Sequence, residues 1–181
     1  TDGANNGFGL IDGSGKVSGE TVTLKATQGI SANTAAVTLS ASNAPRGASA
    51  TSGNISITED DGVTLAGVSN SASGGTISIT TTNGDLDTGT TAVTSTDGDI
   101  TLKANDATVL DDASPVGITV GSGGVSSGTG NIFLYASDDV ALGGNVTATG
   151  VGDVTIEADS ASAADTFPDD NGEITRTAGT V

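Results

Sequence analysis

The chain has 181 residues, with 22 acidic and five basic side chains, and its formal net charge is −17. The few basic residues are scattered, so the sequence excludes a nucleic-acid-binding surface and disfavours contact with anionic membranes. No stretch of the sequence approaches the length of an apolar transmembrane span, which disfavours membrane insertion. Histidine and cysteine are absent, so no Ser-His-Asp or Cys-His catalytic arrangement can be built.

A short strand-like segment recurs along the chain. In chain order, weak copies occupy residues 21–25 and 36–40, strong copies occupy 54–58, 76–80, 99–103, 131–135 and 153–157, and a late copy occupies 173–176. Most copies alternate a branched apolar residue with a small polar one, the pattern of a half-buried strand. We therefore expect an all-β fold made of similar stacked units.

The spacing of the copies predicts the size of one unit. From Ile55 to Ile174 the copies recur at a period of roughly 22 residues, which is typical of a β-solenoid with two or three short strands per coil. The step from Ile100 to Ile132 is the exception, because it is longer than the others. Second strands are predicted at 63–65, 86, 109–110 and 140–142, and third strands at 93, 118–120 and 146–148. The long step predicts a loop insert at residues 106–117.

Composition narrows the architecture further. Only three Phe and one Tyr are present, whereas a β-sandwich, the main alternative, usually builds its core around aromatic residues. Thr, Ser, Gly, Val and Asp dominate the chain and none favours a helix interior. Because the sequence begins and ends inside repeat-like segments, we expect residues 1–181 to be a single solenoid segment of a longer repeat protein.

A run near the middle of the chain carries a family resemblance. Residues 130–134 read Gly-Asn-Ile-Phe-Leu, residues 139–147 read Asp-Val-Ala-Leu-Gly-Gly-Asn-Val-Thr, and residues 152–156 read Gly-Asp-Val-Thr-Ile. This run resembles the repeats of filamentous haemagglutinin-type large bacterial exoproteins, with partial copies over most of residues 50–160. The resemblance implies a right-handed parallel β-helix in a secreted or surface-anchored bacterial protein, and so an extracellular or cell-surface location.

Acidic turns suggest a calcium site. The candidate ligands are Asp60, Asp61, Asp85, Asp87, Asp138 and Asp139, with further acidic turns at 97–99, 111–112 and 169–170. Since coils stack about 4.8 Å apart, acids at equivalent turns could share Ca²⁺ through hard oxygen ligands. The alternative is that Asp favours turns and keeps the surface soluble. Neither the calcium-binding nonapeptide nor the EF-hand loop occurs.

Catalysis and ice binding have weaker support. Asp85 with Asp87, or Asp97 with Asp99, could act as the paired carboxylates of a glycoside hydrolase. However, each pair frames a turn, where Asp is expected anyway, and basic groups to hold an anionic sugar are missing. Thr-x-Thr pairs do not recur at one phase of the repeat, as an ice-binding face requires. We therefore expect no enzymatic activity.

Two aromatic residues are candidates for an interaction site. Ile132 and Leu134 alternate with Phe133 and Tyr135, so both rings should point outward if the aliphatic residues point inward. They could bind surface glycans, as an adhesin would, or form a lateral packing patch, which we favour. The sequence therefore predicts a structural or adhesive segment of an extracellular bacterial adhesin or filament. Its partners would be further coils of the same protein or copies stacked end to end.

Overall fold

The computed structural model describes residues 9–44, 53–106, 117–160, 163 and 172–181. These residues form an all-β structure without helices, in which fifteen strands join in one sheet and every strand pair is parallel. The strands are β1 (Leu10–Ala26), β2 (Gly29–Asn43), β3 (Ile55–Glu59), β4 (Val63–Asn70), β5 (Ile77–Thr81), β6 (Leu86–Asp87), β7 (Val93–Ser95), β8 (Ile100–Ala104), β9 (Ile118–Val120), β10 (Val125–Ser127), β11 (Ile132–Ala136), β12 (Val140–Leu142), β13 (Val146–Ala148), β14 (Val154–Glu157) and β15 (Ile174–Arg176).

The strands stack in three columns. The first column runs β2-β3-β5-β8-β11-β14, and the second runs β2-β4-β6-β9-β12-β15. The third runs β4-β7-β10-β13. The long strand β2 contributes to more than one column, and β1 pairs along most of it. Successive strands of one column belong to successive repeats of the sequence, so each repeat is laid parallel on the one before.

The first column places equivalent apolar residues on one another. Ile55 pairs in register with Ile77, Ile77 with Ile100, and Ile100 with Ile132. The residues predicted to point inward are Ile55, Ile57, Ile77, Ile79, Ile100, Leu102, Ile132, Leu134, Val154 and Ile156. The first eight are buried, which confirms that prediction for them. The last two lie on β14 and are half-buried against the same core.

The core is a stack of small aliphatic side chains. Leu65, Leu86, Ile118 and Val140 extend it along the second column, and Val93 extends it along the third. Fully burying one such side chain stabilises the fold by roughly 1.5–3 kcal/mol. A core built this way needs no aromatic residue, in agreement with the composition.

Counting at a period of roughly 22 residues assigned some strands to the wrong column. Ile174 was expected in the first column, but it pairs with Val140 in the second. Residues 118–120 were expected as a third strand, but β9 pairs with β6 and β12 in the second column. The third-column strand of that repeat is β10, which the period did not predict. The reason is that unusually long segments separate β8 from β9 and β14 from β15.

The expected insert lies mostly outside the described residues. Residues 107–116, including the predicted strand at 109–110, are not described, so the insert stays a prediction. At its two ends, Asp106 forms an antiparallel bridge with Asn83, and the Gly117 amide donates to Asp85 Oδ1 at 2.9 Å.

Buried polar side chains line the corner between the third and first columns. Asn70 Nδ2 donates to the Gly53 and Thr76 carbonyls at 2.7 and 3.0 Å. In later repeats Ser95 Oγ donates to the Gly75 carbonyl at 3.1 Å, and Ser127 Oγ donates to the Gly98 carbonyl at 3.0 Å. These bonds satisfy backbone groups that the turn would otherwise leave buried without a partner.

Candidate functional site

Three of the six candidate calcium ligands, Asp85, Asp87 and Asp139, use their carboxylates to bind backbone amides. Asp85 Oδ1 accepts the Gly117 amide of the next repeat at 2.9 Å. Asp139 Oδ1 accepts the Glu173 amide at 2.8 Å. Asp87 Oδ1 accepts the Gly89 amide at 2.7 Å, which closes its own turn.

Asparagine performs the same task elsewhere in the stack. At the start of the first column, Asn54 Oδ1 accepts the Thr76 amide at 3.0 Å. Further along the column, Asp99 Oδ1 accepts the Asn131 amide at 2.7 Å, and Asn131 Oδ1 in turn accepts the Asp153 amide at 2.8 Å. Asp and Asn therefore share one structural role, which requires an acceptor oxygen and not a negative charge.

The remaining acidic candidates do not come together. Asp60 forms a hydrogen-bonded ion pair with Lys16, and both side chains are partly exposed. Asp61 is exposed and Asp138 is half-buried at its turn. Within the described ranges no group of three or more acidic side chains is placed to hold a metal ion. The acidic turns at 111–112 and 169–170 lie outside the described residues, and calcium binding stays a prediction.

Substitutions at Asp139 distinguish a role as hydrogen-bond acceptor at the turn from a role in calcium binding. We expect Asp139→Ala to lower the free energy of unfolding by about 1 kcal/mol, because the Glu173 amide loses its acceptor. Asp139→Asn, which keeps an acceptor oxygen, should have a much smaller effect. Urea unfolding with calcium and with EDTA measures both. If both variants instead lower the free energy of unfolding equally, and only when calcium is present, Asp139 is a metal ligand.

One acidic residue of these turns is buried, which the sequence analysis did not predict. Glu59 is fully buried at the end of β3, where its Oε1 accepts the Ala36 and Asp60 amides at 2.9 and 3.1 Å. Its Oε2 and the neighbouring Thr34 Oγ1 are buried without hydrogen-bond partners. The signal was present in the sequence, since alternation from Ile55 and Ile57 places position 59 inward.

The two predicted interaction residues lie side by side on the outer face of the first column. The Phe133 and Tyr135 rings stack, with centroids 6.0 Å apart and planes inclined by 19°. Lys103 Nζ lies 5.8 Å from the Tyr135 ring centroid, within cation–π range. Both rings and Lys103 are half-buried. Part of each therefore reaches solvent.

Register places opposite charges on the two sides of Tyr135. Lys103 on β8 pairs with Tyr135 on β11, which pairs with Glu157 on β14. Ser160 Oγ donates to Glu157 Oε2 at 2.6 Å. We call Lys103, Phe133, Tyr135 and Glu157 the aromatic patch.

The rest of this outer face is small and polar. Its outward residues from β2 to β14 are Ser31, Asn33, Ser56, Thr58, Ser78, Thr80, Thr101, Lys103, Phe133, Tyr135, Thr155 and Glu157. Only Lys103 and Glu157 among these twelve are charged. The aromatic patch is therefore the chemically distinct part of an otherwise hydroxyl-rich surface.

A shallow concavity of about 400 Å³ lies on the outer side of the second and third columns. Its lining carries hydroxyl groups such as Thr23, Ser69 and Thr94, together with Lys25 and Gly67. It brings together no set of groups that could perform acid–base or nucleophilic chemistry.

None of the described residues forms a helix long and apolar enough to cross a bilayer. Comparison with known proteins gives no match, whether against family models, curated proteins or solved structures.

Proposed function

We propose that this chain is a non-enzymatic structural segment of an extracellular bacterial adhesin or filament, similar to the repeats of filamentous haemagglutinin-type exoproteins. In this proposal the three columns are the sides of a right-handed parallel β-helix with about 22 residues per coil, a usual size for a solenoid repeat. In-register pairs between consecutive repeats support that coil length, as for Ile55 with Ile77 and Ile77 with Ile100.

The observation that carries the proposal is that apolar residues which continue the core are exposed or only half-buried on the outermost strands. Ile174 on β15 is 51% exposed, whereas its partner Val140 is fully buried. Ile11 on β1, which pairs with the buried Ile30, is only half-buried, and so are Val154 and Ile156 on β14. Among the described strands, β1 pairs only with β2, and β14 only with β11. Further coils at these edges would bury the apolar residues and pair the free backbone groups.

Further coils could be more of the same protein or other copies of this chain. End-to-end addition does not close on itself, so it yields an open fibre. The charge of −17 discourages unselective sideways clumping of fibres while the edges remain able to pair. A fibre of this kind would act as a stalk or scaffold at the cell surface.

Electron microscopy of the purified chain tests the proposal. We expect thin fibres of uniform width, with a repeat of about 4.8 Å along the fibre in diffraction. Ile174→Lys should shorten or abolish them, because an inward charge on an edge strand blocks further pairing. Val151→Lys, at a residue 92% exposed, is the matched control and should leave fibres intact. A monodisperse monomer that turns over a polysaccharide would contradict the proposal.

A further inference from the structure

We infer that the aromatic patch is a lateral self-association site, at which a second copy of this chain packs with its stack of strands in the opposite direction. This inference does not depend on end-to-end stacking. It rests on the order of charges across Tyr135, on the position of the rings, and on the low charge of the surrounding face.

The charge order across Tyr135 is self-complementary. Lys103 and Glu157 lie one strand away on opposite sides of Tyr135. A two-fold axis that runs along β11, between two facing sheets, leaves the strand direction unchanged and reverses the order of strands. Lys103 of each copy then faces Glu157 of the other, as an isologous interface requires. Within one chain the two residues are two strand spacings, or about 10 Å, apart.

The same operation places the aromatic rings together. Phe133 faces Phe133 and Tyr135 faces Tyr135, so the largest side chains of the face are buried at the centre of the contact. Aromatic residues at the centre and charges at the rim are the usual distribution in protein interfaces.

The surrounding face allows two acidic molecules to approach. Apart from Lys103 and Glu157, the outward residues of the first-column strands are uncharged. The nearest acids, Asp99 and Asp153, come one residue before β8 and β14 and so lie at the margins of the contact. At physiological ionic strength the screening length is about 8 Å, which weakens repulsion between those margins.

The contact is small, so the isolated dimer should be weak. The three short strands β8, β11 and β14 together cover roughly 220 Å² per molecule, compared with about 800 Å² per partner in a stable complex. Many copies of the patch along a fibre would add their affinities through multivalency. A test on the isolated chain must therefore trap a transient complex.

Cysteine cross-linking provides such a trap, because the chain has no cysteine of its own. Thr101 and Thr155 flank Phe133 in register on β8 and β14, so in the proposed dimer Thr101 of one copy faces Thr155 of the other. Facing sheets lie about 10 Å apart. At physiological salt, we expect a short bis-maleimide to link Thr101→Cys protein to Thr155→Cys protein in a mixture several-fold more than it links either variant to itself.

Charge reversal then tests the pairing. Lys103→Glu or Glu157→Lys in both partners should reduce the mixed product about tenfold, because like charges then face each other twice. The double exchange Lys103→Glu with Glu157→Lys should restore it. Lys25→Glu makes the same charge change at an exposed site on β1, away from the first column, and should have no effect. Circular dichroism verifies that each variant is folded.

The competing outcomes are distinct. A cross-link yield unaffected by charge reversal, or not restored by the double exchange, overturns the inference. Aromatic-dependent binding of soluble glycans without any mixed cross-link also overturns it, and points to a sugar at the patch instead. Fibres that form normally without the mixed product would leave end-to-end stacking intact and exclude only the lateral contact.

Discussion

Replacing Ile100 by alanine is expected to lower the free energy of unfolding by about 2–5 kcal/mol. Ile100 is fully buried at the centre of the first column, between Ile77 and Ile132. The cavity cannot easily collapse, because backbone bonds from Ile77 to Asp99 and from Ile100 to Asn131, at 2.9 and 2.8 Å, fix the spacing of the strands. Urea unfolding followed by circular dichroism measures the loss.

Val37→Ala is the matched control for this cavity. Val37 lies on β2 but is 66% exposed, so its truncation should change stability by less than about 0.5 kcal/mol. Similar losses at both sites would mean that the first-column ladder is not the main source of stability.

The inward ladder was predictable because alternation acts within each repeat. In 54–58 and 76–80 the branched residues fall at every second position, and a strand places such residues on one face. Parallel stacking then puts each copy on the equivalent residues of the next, so one pattern determined both burial and register. The parallel arrangement of the first-column strands from β3 to β14 follows from these local signals.

Strand assignment failed where the interval between strands changed. Ile174 and residues 118–120 follow long segments, and a pattern such as Ile-Thr-Val or Ile-Thr-Arg does not reveal which column it will join. Pairing is decided by which edge is open, and that depends on the path of the intervening chain. The burial of Glu59 was missed for a different reason. Its charge suggested an exposed side chain, although its position in the alternation places it inward.

The candidate site was partly predictable. The outward direction of Phe133 and Tyr135 followed from alternation, but the charges beside Tyr135 were overlooked. Lys103, Tyr135 and Glu157 each hold the last position of a copy, at 99–103, 131–135 and 153–157. Comparing equivalent positions across repeats therefore identifies surface neighbours as well as core neighbours. The ring stacking itself depends on side-chain conformation, which the sequence does not specify.

The glycines at the corner between the third and first columns, such as Gly98, are expected to tolerate substitution as poorly as the aliphatic core residues do. A Cβ on Gly98 would lie 2.2 Å from the Gly75 carbonyl oxygen and 2.5 Å from its carbon. Gly130 stands in the same relation to Gly98, and Gly152 to Gly130. Added methyl groups would therefore point along the stack into the backbone of the neighbouring repeat, where no flexible side chain can move aside.

Gly98→Ala should accordingly cost about 3 kcal/mol, at the upper end for overpacking. The corner resists relaxation because the Gly98 amide donates to Ser95 Oγ and the Gly98 carbonyl accepts from Ser127 Oγ, both at 3.0 Å. Gly15→Ala is the control, since nothing lies within 4 Å of its added Cβ. There a smaller unfolded-state entropy should leave stability unchanged or slightly raised. Opposite signs in urea unfolding would attribute the loss at Gly98 to backbone contact between repeats; equal effects would show that the corners can expand.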